Sequence, residues 1–236
     1  MFISITTGGD EAIERGLARL EAAGHPVVRL TLADRYALGG EFFRWEMATA
    51  AAGVVLGVNP FDEPDVAGAK EATGAALAAF VERGRLPEWP SDEPDDIARA
   101  LAIARPGDYV AVLAYLTPEP ATAEALGRLR LLLRDRTGLA TTLGYGPRYL
   151  HATGQLHKGG PPTPIVVILT PEHEDDLPIP GERYGFGTLA LAEALGDLST
   201  LRAAHRRASW LALPAPAGEA IERLTLSLER KISTGL

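Results

Sequence analysis

The stretch that decides the fold is Phe2-Ile3-Ser4-Ile5-Thr6, with Thr7-Gly8-Gly9-Asp10 behind it and Pro26-Val27-Val28-Arg29-Leu30-Thr31-Leu32 shortly after. The first run is β-branched and apolar and ends at a glycine pair, the pattern of a strand entering a turn. Asp10 is a good helix cap. Ile13, Leu17 and Leu20 then recur at helical spacing, and Gly24 stands where a helix stops. Pro26–Leu32 reads as a second strand. Strand, helix and strand in so short a span make a βαβ unit, which calls for a parallel sheet covered by helices, an α/β fold. Thr7-Gly8-Gly9 sits where a phosphate loop could lie, but Asp10 and Glu11 follow at once and would repel phosphate, so a capped turn is expected.

Beyond this unit, Leu38–Val58 is Ala-rich and apolar nearly all round, as a buried helix would be. Asn59-Pro60 ends it, and Pro64 can start another helix reaching about Arg83 before Gly84. Residues 84–96 hold Pro87, Pro90 and Pro94 with Glu88, Asp92, Glu93, Asp95 and Asp96, and read as a linker. The second half repeats the α/β rhythm. Strands are expected at 108–116, 140–144, 164–170 and 209–213. Helices are expected near 95–104, 119–137, 188–206 and 218–232.

Composition narrows the function classes. The 236 residues carry 23 basic against 31 acidic side chains, a formal charge of −8, which disfavours nucleic acid or an acidic membrane as partner. Cysteine is absent, which excludes disulfides, thiolate catalysis and Cys-ligated zinc. His151 and His157 lack a matching third ligand, so no metal site is expected. The longest nearly apolar run, Met47–Val58, is too short to span a bilayer, and the N-terminus has no basic region before an apolar one; a cytoplasmic protein is expected.

Arg136–Pro171 contains no Asp or Glu. It gathers Arg136, Arg148, His151, His157 and Lys158 with Thr141, Thr142, Tyr145, Tyr149, Thr153 and Gln155, and is rich in glycine. Grouped cations without carboxylates suit a bound anion such as phosphate, with Gly144, Gly146, Gly154, Gly159 and Gly160 letting amides approach it. The alternative is a Gly-rich connection between buried strands. Lysine is rare (Lys70, Lys158 and Lys231 against 20 arginines), so Lys70 and Lys158 are candidates for a compact ammonium at a site. His173, beside Pro171 in an acidic segment, reads as a solvated loop residue. Phe42, Phe43, Trp45 and Met47 read as core or interface packing.

Gly53-Val54-Val55-Leu56-Gly57-Val58-Asn59-Pro60-Phe61-Asp62-Glu63-Pro64-Asp65-Val66-Ala67-Gly68-Ala69-Lys70 resembles the C-terminal signature of glucose-6-phosphate isomerase, N-[PS]-F-D-Q-x-x-V-x-x-x-K, with Glu63 where the family has Gln. Gly40–Glu46 and Thr142–Pro161 are similar to the end of bacterial bifunctional transaldolase/phosphoglucose isomerase proteins. The resemblance covers nearly the whole chain. It implies a sugar-isomerase (SIS) type parallel sheet flanked by helices over 1–86, followed by a second α/β domain over 95–236. It also implies aldose–ketose isomerisation of a sugar phosphate without a cofactor. That chemistry needs a ring-opening acid/base, a carboxylate that moves a proton between C1 and C2, and cations for the enediolate and phosphate.

By position, Lys70 corresponds to the family lysine at the sugar ring. Gln155-Leu156-His157 resembles the family's Q-L-x-H with one residue missing, which marks His157 for ring opening and leaves His151 as a competitor. Arg148, His151, Gln155 and Lys158 are the expected substrate-binding set. In the family the first SIS domain and the Glu base lie upstream of this signature, and neither Glu41 nor Glu46 can be assigned that role. The expectation is therefore a homo-oligomer or a complex with a separate upstream isomerase domain. The alternative is a non-catalytic module that binds a sugar phosphate, or a partner through Phe42, Phe43 and Trp45.

Overall fold

A computed structural model describes residues 1–62, 64–172 and 176–233. Glu63, the departure from the isomerase signature, and His173 lie outside the described residues. The chain is α/β with parallel sheets flanked by helices, and it divides into two compact units, Met1–Asp62 and Glu63–Leu236.

The first unit holds β1 (Phe2–Thr6), α1 (Glu11–Ala22), β2 (Val27–Thr31) and α2 (Leu38–Leu56). β1 and β2 pair in parallel, with Phe2 opposite Val27 and Thr6 opposite Thr31, as the βαβ reading requires. Asp10 caps α1, its Oδ1 accepting from the amides of Ala12 (2.9 Å) and Ile13 (3.1 Å). The turn at Gly8-Gly9 is thus closed by a carboxylate, and its cap amides are already taken. The expectation that the helix after Leu38 is buried fails. Val54 and Val55 are 84% and 85% exposed, and Phe42, Phe43, Met47 and Leu56 are also exposed. Within α2 the buried residues are Glu41 and Gly53. Apolar composition specifies a buried helix only if enough other surface packs on it, and a two-stranded sheet supplies little.

The second unit begins with α3 (Pro64–Arg83) and α4 (Pro94–Ala102). It continues through β3 (Tyr109–Ala114), α5 (Pro120–Thr137), β4 (Ala140–Tyr145), a 3-10 turn (Arg148–His151), α6 (Gly154–Gly159), β5 (Pro164–Pro171), α7 (Phe186–Ala203), β6 (Arg207–Leu213) and α8 (Ala217–Ser233). The four strands form a parallel sheet in the order β4-β3-β5-β6. β5 is buried from Pro164 to Thr170, the continuous apolar run of a strand covered on both faces. On one face Val110, Val112, Ile165 and Val167 pack against Leu126 and Leu129 of α5 and Ile221 and Leu228 of α8. On the other, Leu113, Val166 and Ile168 pack against Leu195 and Leu198 of α7 and against Tyr149.

Two corrections to the expected organisation follow. The boundary falls between Asp62 and Glu63 rather than after residue 86, because α3 packs on α7. Gly196 makes that crossing close: a Cβ there would stand 2.5 Å from Thr73 Oγ1 and 3.0 Å from the Ala69 carbonyl oxygen. The 84–96 segment is also no free linker. The Asp92 amide donates to the Trp210 carbonyl (2.8 Å), Asp92 Oδ2 accepts from the Trp210 amide (2.7 Å), and Ser91 Oγ accepts from the Ala212 amide (3.2 Å). The segment is strapped to β6 and occupies hydrogen-bonding groups that an edge strand would leave open. Among the described residues no helix is long and apolar enough to cross a membrane.

Candidate functional site

A cavity of about 260 Å³ in the second unit is lined by Lys70, Thr73 and Leu77 of α3, Leu150 and His151 of the 3-10 turn, Lys158 of α6 and Glu193 of α7. Three of the residues singled out from sequence, Lys70, His151 and Lys158, therefore meet although they are spread over 89 positions (70 to 158). Lys70 and His151 are exposed at its mouth, and Lys70 makes no ion pair among the described residues. Glu193 is half-buried, with no hydrogen bond or ion pair among the described residues. Burial pushes its carboxyl above the usual carboxylate range, and the nearby His151 opposes that shift.

Behind the cavity lies a buried polar chain. Lys158 Nζ is 2.7 Å from Asp197 Oδ1, and the two side chains are 2% and 1% exposed. Asp197 Oδ2 accepts from the Tyr149 hydroxyl at 2.5 Å, and the Tyr149 and Tyr115 hydroxyls are 3.2 Å apart. Burial and the Asp197 charge both hold the Tyr115 and Tyr149 hydroxyls well above the ordinary phenol range, so they remain protonated donors. Tyr115 directly follows β3, at the point where strand order reverses between β3 and β5. The Lys158 carbonyl accepts from Arg206 Nε (3.0 Å), and Arg206 Nη2 also donates to the Gly160 carbonyl (2.7 Å), which ties the end of α6 to the loop before β6.

Two glycines read as ligand-approach positions have another role. A Cβ on Gly146 would stand 2.5 Å from the Tyr115 ring, and one on Gly144 would stand 2.7 Å from Tyr149 Cβ. These positions are small because the two tyrosines lie over them.

The other expected site residues do not join the cavity lining. His157 is 2% exposed and its Nδ1 meets the Tyr109 hydroxyl at 2.8 Å; burial holds its pKa below the ordinary imidazole value. The ring packs against Tyr109 and Tyr149, and His151 is the histidine that reaches the cavity. Arg148 is exposed with its guanidinium 5.8 Å from the Tyr145 ring centre. Gln155 is half-buried in α6, outside the lining. The acid-free stretch is not a free positive patch either, because carboxylates arrive from elsewhere in the fold. Arg136 pairs with Glu229 (2.6 Å) and Lys158 with Asp197. In the first unit, Glu41 pairs with Arg44 of its own helix at 2.8 Å.

Sequence reading missed Glu193 and Asp197. A signal for both exists: they are the two carboxylates of α7 and stand four residues apart, hence on one face of an otherwise apolar helix.

No family model matches the chain, and no curated protein matches it. A solved structure of a hypothetical protein, TT0462 from Thermus thermophilus, is similar with a TM-score of 0.50 and 21% sequence identity. The match covers 99% of this chain and 56% of that one. The likeness is one of fold, and this chain spans little more than half the length of that protein.

Proposed function

We propose that the second unit binds a phosphorylated sugar in the Lys70 cavity and interconverts its aldose and ketose forms, the activity implied by the resemblance to glucose-6-phosphate isomerase. The observation that carries this reading is Glu193: a half-buried carboxyl of raised pKa that shares a small cavity with His151 and Lys70. A general base works best when its pKa approaches the working pH, and burial moves Glu193 in that direction.

His151 protonates the ring oxygen while the C1 hydroxyl gives its proton to water, which opens the ring. The Glu193 carboxylate takes the proton from C2; the C–H electron pair forms the C1–C2 double bond and the carbonyl oxygen becomes an enediolate oxygen. The O2 proton passes to O1, and Glu193 returns its proton to C1, which leaves the ketose carbonyl at C2 and a hydroxyl at C1. Lys70 supplies charge for the anionic substrate, and Lys158 lies at the wall where the enediolate forms.

The test is a coupled assay of fructose 6-phosphate turnover to glucose 6-phosphate. Glu193→Gln is expected to lower kcat by about 10²–10⁴, and Lys70→Ala to weaken substrate binding. Full turnover in Glu193→Gln overturns the assignment of the base. A second reading, a module that binds the sugar phosphate without chemistry, is favoured by the absence of Arg148 and His157 from the cavity. Ligand-dependent thermal stabilisation of the wild-type chain with no turnover establishes it.

A further inference from the structure

The buried ion pair behind the cavity is arranged unlike a structural salt bridge. Two charges 2.7 Å apart with side chains 2% and 1% exposed carry a large desolvation cost, and apolar residues of similar volume would pack there without it. Each partner is held by groups of a different element. Asp197, on α7, receives the Tyr149 hydroxyl, whose ring seats on Gly144 at the end of β4. Lys158, on α6, is fixed through its carbonyl by Arg206. An ammonium has three donors; among the described residues Asp197 is the sole partner of this one, and Lys158 lines the cavity shared by Lys70, His151 and Glu193.

We propose that Lys158 is a preorganised contact for a ligand oxyanion in this cavity and that Asp197 is the positioning residue that holds its ammonium at the cavity wall. The inference rests on the reading of the cavity as a sugar-phosphate site and adds how its cation is set in place. Asp197 gives the ammonium one fixed ion-pair partner, with no hydrogen bond to its Oδ1, and leaves the ammonium's donors for the ligand. Tyr149 fixes the carboxylate, so the cation does not reorganise when negative charge arrives.

The chain has three lysines, so protein carrying lysine labelled with carbon-13 at Cε gives three signals; Lys70→Arg and Lys231→Arg remove two and leave Lys158 assigned without altering it. Inorganic phosphate and fructose 6-phosphate are the two probes, in separate titrations. The expected result is a saturable shift of the Lys158 signal with at least one of them. Asp197→Asn is expected to weaken that binding about ten- to a hundredfold, the scale of one charge-assisted hydrogen bond. Asp197→Asn is expected to have no further effect in a Lys158→Met background, because Asp197 acts through Lys158. A Lys158 signal that neither probe moves overturns the proposal, as does unchanged affinity in folded Asp197→Asn. Additive losses in the double variant remove the positioning role. Turnover in the coupled assay is scored separately: a responsive Lys158 in a chain without turnover retains this inference and rejects the isomerase reading.

Discussion

Replacing Lys158 by Met tests the buried pair as a matter of stability. The substitution keeps the side chain's length and apolar stem but removes the ammonium 2.7 Å from Asp197, leaving a carboxylate 1% exposed with no counter-charge. Breaking a buried pair by deleting one partner costs about 3–5 kcal/mol. The Tyr149 hydroxyl still donates to Asp197, which places the expected loss near the lower end, about 3 kcal/mol. For a chain of this size that corresponds to a fall in melting temperature of roughly 6–12 °C. Urea unfolding followed by circular dichroism measures the loss directly, with an unchanged m value as the check that the unfolding reaction is the same. Lys158→Met with Asp197→Leu removes both charges and is expected to recover most of the loss. A single-variant cost below about 1 kcal/mol would show that Asp197 is solvated or re-paired, and the account of the pair as dry and mutually dependent would fall.

Three further measurements follow from the same geometry. Because the folded-state pKa of Glu193 is raised, the native protein keeps its proton longer, and stability falls as pH rises from the ordinary value of 4.5 through the raised one; Glu193→Gln is expected to flatten that limb. His157 has the opposite sign: its folded pKa is lowered, so stability is lost as pH falls from 6.5 toward the depressed value, and His157→Gln is expected to reduce the difference between unfolding midpoints at pH 8 and pH 5. Gly196→Ala forces a methyl into the α3–α7 crossing, 3.0 Å from the Ala69 carbonyl oxygen, and is expected to cost about 1–3 kcal/mol by urea unfolding, whereas Gly127→Ala on α5, with open space around it, is expected to be neutral or stabilising.

The elements were legible where one local rule sufficed. Asp10, Gly24 and Gly84 mark helix ends by chemistry that acts within a turn, and β5 announces itself by an apolar run with both faces covered. The expectations that failed needed distant partners. The proline- and acid-rich composition of 84–96 suggests a loose connection, yet Asp92 is defined by Trp210, which lies 118 positions away. The acid-free stretch brings His151 and Lys158 to the cavity, but its charge is smaller than the chain order suggests, because Glu229 and Asp197 arrive from α8 and α7 to pair with two of its cations. Charge counted along the chain is a field only when the fold adds nothing to it.

Glu193 and Asp197 show what kind of pattern carries more. α7 must be apolar toward the sheet and small toward α3, so a carboxylate there opposes burial unless something answers it. Two of them at i and i+4 occupy one face, and the fold separates their fates: Asp197 is paired by Lys158 and Tyr149, while Glu193 has the cavity before it. One is held in an ion pair and the other is left with a raised pKa on the same helix face. An acid retained on a buried face without a partner is costly to the fold, and that cost makes Glu193 the residue on which the function of the cavity is best tested.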